Sequence, residues 1–232
     1  MAKEKKEKTP GYEEFHDALQ SGAVGNVYIF HGEETYLMQQ AVAELQARLV
    51  PAGFEEFNYH RLTGKGLTVQ EVVEAAEAMP MMAERTLVTV EDMDLFKLDE
   101  AQRGALVALL GDFPVYCTLV FLYRQIPYKT DAKLKKLTAA LAERAQVIEF
   151  AQQGQQKLQK WVRRRFVAAG KDIDAGTVDH LLFTCGSLMT GLVPEIAKIA
   201  AYARGAKITA ADIDAVADPC LLYTSPSPRD CS

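Results

Sequence analysis

Apolar positions along the chain follow two regimes. Through roughly the first 150 residues, short apolar runs alternate with stretches of helical spacing, and beyond residue 151 only helical spacing remains. The runs at 27–30 (Val27, Tyr28, Ile29, Phe30), 85–90, 117–122 and 146–150 predict strands. A further strand is expected at 56–62, where Phe57, Tyr59 and Arg61 share one face of a period-2 pattern. Between them lie helical patterns: Tyr12, Phe15 and Leu19 ahead of Ser21-Gly22; Leu37, Val42, Leu45 and Leu49 ahead of Pro51; and segments 100–110 and 131–144. Thr68 and Glu71 have the spacing of a capping box, opening a helix through Ala78 that turns Val69, Val72, Val73 and Ala76 inward. Five strands alternating with helices predict a parallel, three-layer α/β domain over 11–150.

The second regime predicts four helices over 151–219. Leu158, Trp161, Val162, Arg165 and Phe166 repeat at i, i+3, i+4, i+7 and i+8 before Gly170. Val178, Leu181, Leu182 and Cys185 precede Gly186, and Leu188, Leu192, Ile196, Ile199 and Ala203 precede Gly205. Thr209 and Asp212 cap the last, with Ile213 and Val216 inward. A parallel α/β domain followed by a small helical lid is the AAA+ arrangement. Residues 1–10 are expected to be a disordered charged tail. Residues 220–232 shift abruptly to Ser and Pro, which reads either as a disordered tail or as a non-native read-through string. On the second reading the authentic sequence stops near Pro219 and the natural protein is longer.

Charge and cysteine usage narrow the field. A net charge of −5 over 232 residues gives no global drive toward nucleic acid. No window of 18 apolar residues and no apolar leader are present, so a cytoplasmic protein with no membrane span is expected. Cys117 and Cys185 sit in apolar patterns as small core residues. The four cysteines show no CxxC pair, and His16, His31, His60 and His180 show no ligand spacing, so no metal is expected.

Candidate chemistry begins at the first strand-to-helix turn, His31-Gly32-Glu33-Glu34-Thr35. A phosphate loop would stand here, but the second glycine and the lysine of G-x-x-x-x-G-K-[ST] are missing. Glu33 and Glu34 are expected in the first helical turn, favoured by its positive potential and repelling a triphosphate. The predicted cofactor set is therefore empty. Gly64-Lys65-Gly66 fails the same frame and reads as a surface turn. Glu91-Asp92, after the third strand, resembles the acidic pair that holds Mg²⁺ in P-loop ATPases, although strand ends also carry such residues in plain loops. Two basic clusters, Lys133-Leu134-Lys135-Lys136 and Arg163-Arg164-Arg165, read as solvated helix faces or as phosphate-backbone contacts.

The segment Met79-Pro80-Met81-Met82-Ala83 is the most unusual. Pro80 ends the preceding helix and two adjacent large flexible side chains follow, pointing in different directions. They are either core residues beneath the third strand or an exposed plug for a partner's apolar groove.

Segments 27–37, 78–88 and 129–137, Trp161-Val162, and 191–203, in this order, resemble the delta subunit of the bacterial DNA polymerase III clamp loader. The resemblance covers residues 11 to about 219. It implies a replication protein without ATPase activity of its own, which binds the sliding clamp (beta) and opens one ring interface. By position it makes Met81 and Met82 the wedge, flanked by Met79, Pro80 and Ala83; family members usually carry Leu or Phe there. It also implies motor and delta-prime type partner subunits joined through a missing collar domain, and primer-template DNA within the complex. Two other readings stay open: a divergent AAA+ ATPase using Glu91 and Asp92, and a single-strand DNA-binding module using Arg163, Arg164 and Arg165.

Overall fold

The computed structural model describes residues 9–64 and 66–218, so the expectations for the first eight residues, for Lys65 and for 220–232 lie outside the described residues. The chain divides into two compact units, with the boundary between Ala151 and Gln152.

The first unit is a five-stranded sheet in the order β2-β3-β4-β1-β5, with every pairing parallel. The strands are β1 (Val27–His31), β2 (Tyr59–Leu62), β3 (Thr86–Glu91), β4 (Cys117–Tyr123) and β5 (Ala145–Glu149). They are linked by α2 (Thr35–Leu49), α3 (Glu55–Asn58), α4 (Val69–Glu77), α5 (Glu100–Gly111) and α6 (Lys135–Arg144), and α1 (Tyr12–Gln20) precedes them. Alternation along β1 divides the core into two layers. Val27 and Ile29 join Val72, Ala76, Leu106 and Leu110 on the α4–α5 side. Tyr28 and Phe30 face the other way, where Phe15 of α1 meets both rings edge-on at 5.6 and 5.2 Å. All of β4 is buried, as a central strand covered on both faces requires.

Two elements depart from the sequence reading. The expected strand at 56–62 is a strand only from Tyr59, because residues 55–58 form the short helix α3. Phe57 is consequently 49% exposed instead of sharing a strand face with Tyr59, whereas Asn58 is fully buried. The helix expected from residue 131 starts at Lys135, since the Asp131 carboxylate turns back to accept the Lys133 N–H at 2.9 Å. The Thr68–Glu71 capping box is formed, with the Glu71 carboxylate accepting the Thr68 N–H at 2.7 Å. Gly64 and Gly66 both adopt positive φ, the backbone of a turn.

Among its described residues the second unit contains four helices: α7 (Gln155–Ala168), α8 (Ala175–Cys185), α9 (Met189–Tyr202) and α10 (Ala210–Val216). Leu158, Val162 and Phe166 of α7 and Val178 and Leu181 of α8 are buried, as the spacing predicts. So are Leu192, Ile196 and Ile199 of α9 and Ile213 of α10. Among the described residues no single helix is long and apolar enough to cross a membrane.

Candidate functional site

In an open parallel sheet, ligands bind at the carboxyl ends of the strands, where the strand order reverses. Here that point is the end of β1, which lies between β4 and β5. The loop after it is closed by the protein's own backbone. The Phe150 N–H donates to the His31 carbonyl at 2.7 Å, and the Glu34 N–H donates to the Phe150 carbonyl at 2.9 Å. The Thr35 N–H turns back onto the Glu33 carbonyl at 3.0 Å. Two backbone donors that a phosphate cradle would aim at an anion therefore serve internal carbonyls. Gly32 makes this approach possible: its φ is +125°, and a β-carbon there would lie 2.4 Å from the Phe150 carbonyl oxygen.

The carboxylates at this turn sit differently from expectation. Helix α2 begins at Thr35, leaving no acidic residue in its first turn. Glu33 is exposed, while Glu34 occupies the N-cap position with its side chain fully buried. Burial lowers the His31 imidazole below its usual range, against the opposing influence of Glu149, so a neutral ring stands beside the loop near neutral pH.

Glu91 and Asp92 have structural partners. The Glu91 carboxylate lies 3.6 Å from both the Arg61 and Arg124 guanidinium groups. Asp92 takes a left-handed backbone, φ 53°, and its Oδ1 accepts the N–H groups of Arg124, Gln125 and Ile126 at 2.8, 2.9 and 3.4 Å. This carboxylate fixes the turn leaving β4. Asp92→Ala is expected to cost about 2 kcal/mol by stranding those donors, with Asp92→Asn retaining most of the stability. Urea unfolding of the two variants checks this. Among the described residues no cluster of three or more His, Cys, Asp or Glu side chains is arranged to hold a metal ion.

At the opposite, amino-terminal edge of the strands, the segment joining α4 to β3 carries the methionines. The core reading of the pair is overturned: Met81 is 45% and Met82 77% exposed, with Met79 at 73%. The chain leaves α4 at Ala78 in extended conformation and bends through 81–84, with Met82 left-handed at φ 53°. Pro80 and Ala83 lie within this bend and its approach. An open groove of about 570 Å³ flanks it, lined in part by Met82, Ala83, Arg85, Arg48 and Pro51. The segment is tied down from α3. The Asn58 Oδ1 accepts the Met81 N–H at 2.7 Å, and its Nδ2 donates to the Met81 carbonyl at 2.8 Å. Sequence reasoning missed Asn58 because it assigned the residue to a strand.

The basic clusters lie in different units. Lys133, Lys135 and Lys136 are exposed at the start of α6, in the first unit. Arg163 and Arg164 are exposed on α7 in the second unit, but Arg165 lies over the Trp161 ring, 5.0 Å from its centroid. Consecutive residues on a helix fan apart, so these arginines do not form one face.

Sheet order, parallel register and a strand-to-helix loop at the switch point define the class: an AAA+-like α/β fold followed by a helical unit. The Thermotoga maritima RuvB Holliday junction branch migration motor shares this fold, with a TM-score of 0.56 at 12% identity over 87% of this chain and 64% of that one. The Bacillus subtilis DNA clamp loader delta protein shares it with a TM-score of 0.59 at 23% identity, over 90% of this chain and 62% of that one. Residues 28–151 match the family model described as DNA polymerase III, delta subunit, and the chain belongs to that family. A curated relative, DNA polymerase III subunit delta of Bacillus subtilis, is 25% identical over 192 residues, covering 80% of this chain. The chain spans about half the length of that relative, 54%.

Proposed function

We propose that this chain is the clamp-engaging part of a clamp-loader delta subunit: it binds a ring-shaped sliding clamp and holds one ring interface open during DNA replication, without nucleotide of its own. The observation that carries this reading is the pair Met81 and Met82, apolar, exposed and mounted on an anchored bend. A few apolar side chains entering a partner's pocket can supply most of an interface's energy, and methionine adapts to an irregular pocket. Met79, Pro80 and Ala83 would form the rim. The closed loop at Gly32 supports the second half of the reading, since its donors are already satisfied internally. An interface under ring strain needs only to be trapped open, which asks for binding energy and no bond-breaking step. Motor and delta-prime type subunits would join it in the assembled complex, which primer-template DNA would enter. There, the exposed Lys133, Lys135 and Lys136 and Arg163 and Arg164 are candidates for salt-sensitive phosphate contacts.

The test is ring opening itself. A clamp from the same genome, carrying a donor and an acceptor fluorophore across one interface, should lose energy transfer when the 232-residue chain is added. Binding without a change in transfer would remove opening from the proposal, and no binding would remove the proposal.

A further inference from the structure

Asn58, the last residue of the short helix α3, is a polar side chain with no exposed surface that bonds the methionine bend. An asparagine amide offers two N–H donors and a carbonyl acceptor. The Nδ2 group donates to the Phe54 carbonyl at 3.1 Å and to the Met81 carbonyl at 2.8 Å, while Oδ1 accepts the Met81 N–H at 2.7 Å. The amide thus grips both sides of one residue's backbone, as a neighbouring strand would, at a place where neither helix nor strand supplies partners. The next residue, Met82, stands in the left-handed region, which a non-glycine residue holds only when its surroundings fix it.

We propose that Asn58 is a positioning residue for partner binding: its side-chain amide locks the Met81 backbone so that Met81 and Met82 meet the clamp already ordered. The inference rests on the clamp-binding reading above. An unanchored bend would lose conformational freedom on binding and return that loss as weaker affinity. Asn58 itself is buried, so its effect on the partner passes through the bend it holds at Met81. A residue serving only the fold would change unfolding without changing how the intact protein binds.

The test compares wild type, Asn58→Ala, Met81→Ala/Met82→Ala, and the triple variant in calorimetric titration against the clamp, together with hydrogen exchange at the Met81 amide. Asn58→Ala is expected to bind about tenfold more weakly. Its Met81 amide should exchange at least about tenfold faster, while the β3 amides keep their protection. Because Asn58 acts through the methionines, Asn58→Ala should cost nothing further in the Met81→Ala/Met82→Ala background. Wild-type affinity for Asn58→Ala beside a failed methionine variant overturns this inference and leaves the clamp reading standing. Wild-type affinity for the methionine variant overturns the reading beneath it. Should Asn58→Ala melt below the assay temperature, Asn58→Ser, which keeps a short hydroxyl in the buried site, carries the same comparison. Unaltered affinity of that variant overturns the inference equally.

Discussion

Gly32→Ala is expected to lose about 3–5 kcal/mol of stability, a large part of what a domain of this size has. A β-carbon there would meet the Phe150 carbonyl oxygen at 2.4 Å, its carbon at 2.7 Å and its nitrogen at 2.8 Å. All three are backbone atoms, and they cannot rotate aside as a side-chain end can. Moving them would break the hydrogen bonds from Phe150 N–H to His31 and from Glu34 N–H to Phe150, which join β5 to the loop after β1. The backbone also stands at φ +125°, outside the region open to L-residues. Gly53→Ala is the control: φ is +84° there, but nothing lies within 4 Å of the added carbon. It should cost only about 1 kcal/mol, from the backbone alone. Thermal melts followed by circular dichroism should therefore show Gly32→Ala lower by about 10 °C or more and Gly53→Ala by a few degrees. Equal losses would show that the close approach to Phe150 contributes nothing.

Met81→Ala combined with Met82→Ala should weaken clamp binding at least about 100-fold, since central apolar anchors typically carry about 2 kcal/mol each. The melting temperature should stay within about 1 °C, because truncating exposed side chains leaves no cavity and surface changes are usually near neutral. Both side chains qualify, at 45% and 77% exposure. The backbone tie through Asn58 uses Met81 main-chain atoms and survives the change to alanine. Fluorescence anisotropy against a labelled clamp, with matched circular dichroism melts, measures the two effects separately. Retained affinity would remove the methionines from the interface.

Periodicity made most of the fold legible, because burial on a sheet face or a helix stripe leaves a repeating mark. The alternation at 27–30 anticipated the two core layers, and Thr68 with Glu71 marked the start of α4. Periodicity misled at Phe57, where two turn-like acidic residues and a buried asparagine fold into one helical turn and only the last four positions pair with β3. The missing P-loop residues were visible, but the partner that fills their place was not. Phe150 lies more than a hundred residues downstream of Gly32, and no local pattern links them. Likewise, Met81 and Met82 could be singled out as apolar residues after a helix-breaking proline, yet their exposure and the hold of Asn58 depend on a contact across 23 residues. Glu91 and Asp92 show the converse. A sequence pair that suggested metal chemistry is occupied by two arginines and three backbone N–H groups.

Clamp binding without nucleotide is measured by a single titration: the chain against the clamp of the same genome, with and without ATP·Mg²⁺. One dissociation constant is expected in both conditions. Binding that appears only with ATP·Mg²⁺, or none in either condition, would contradict it.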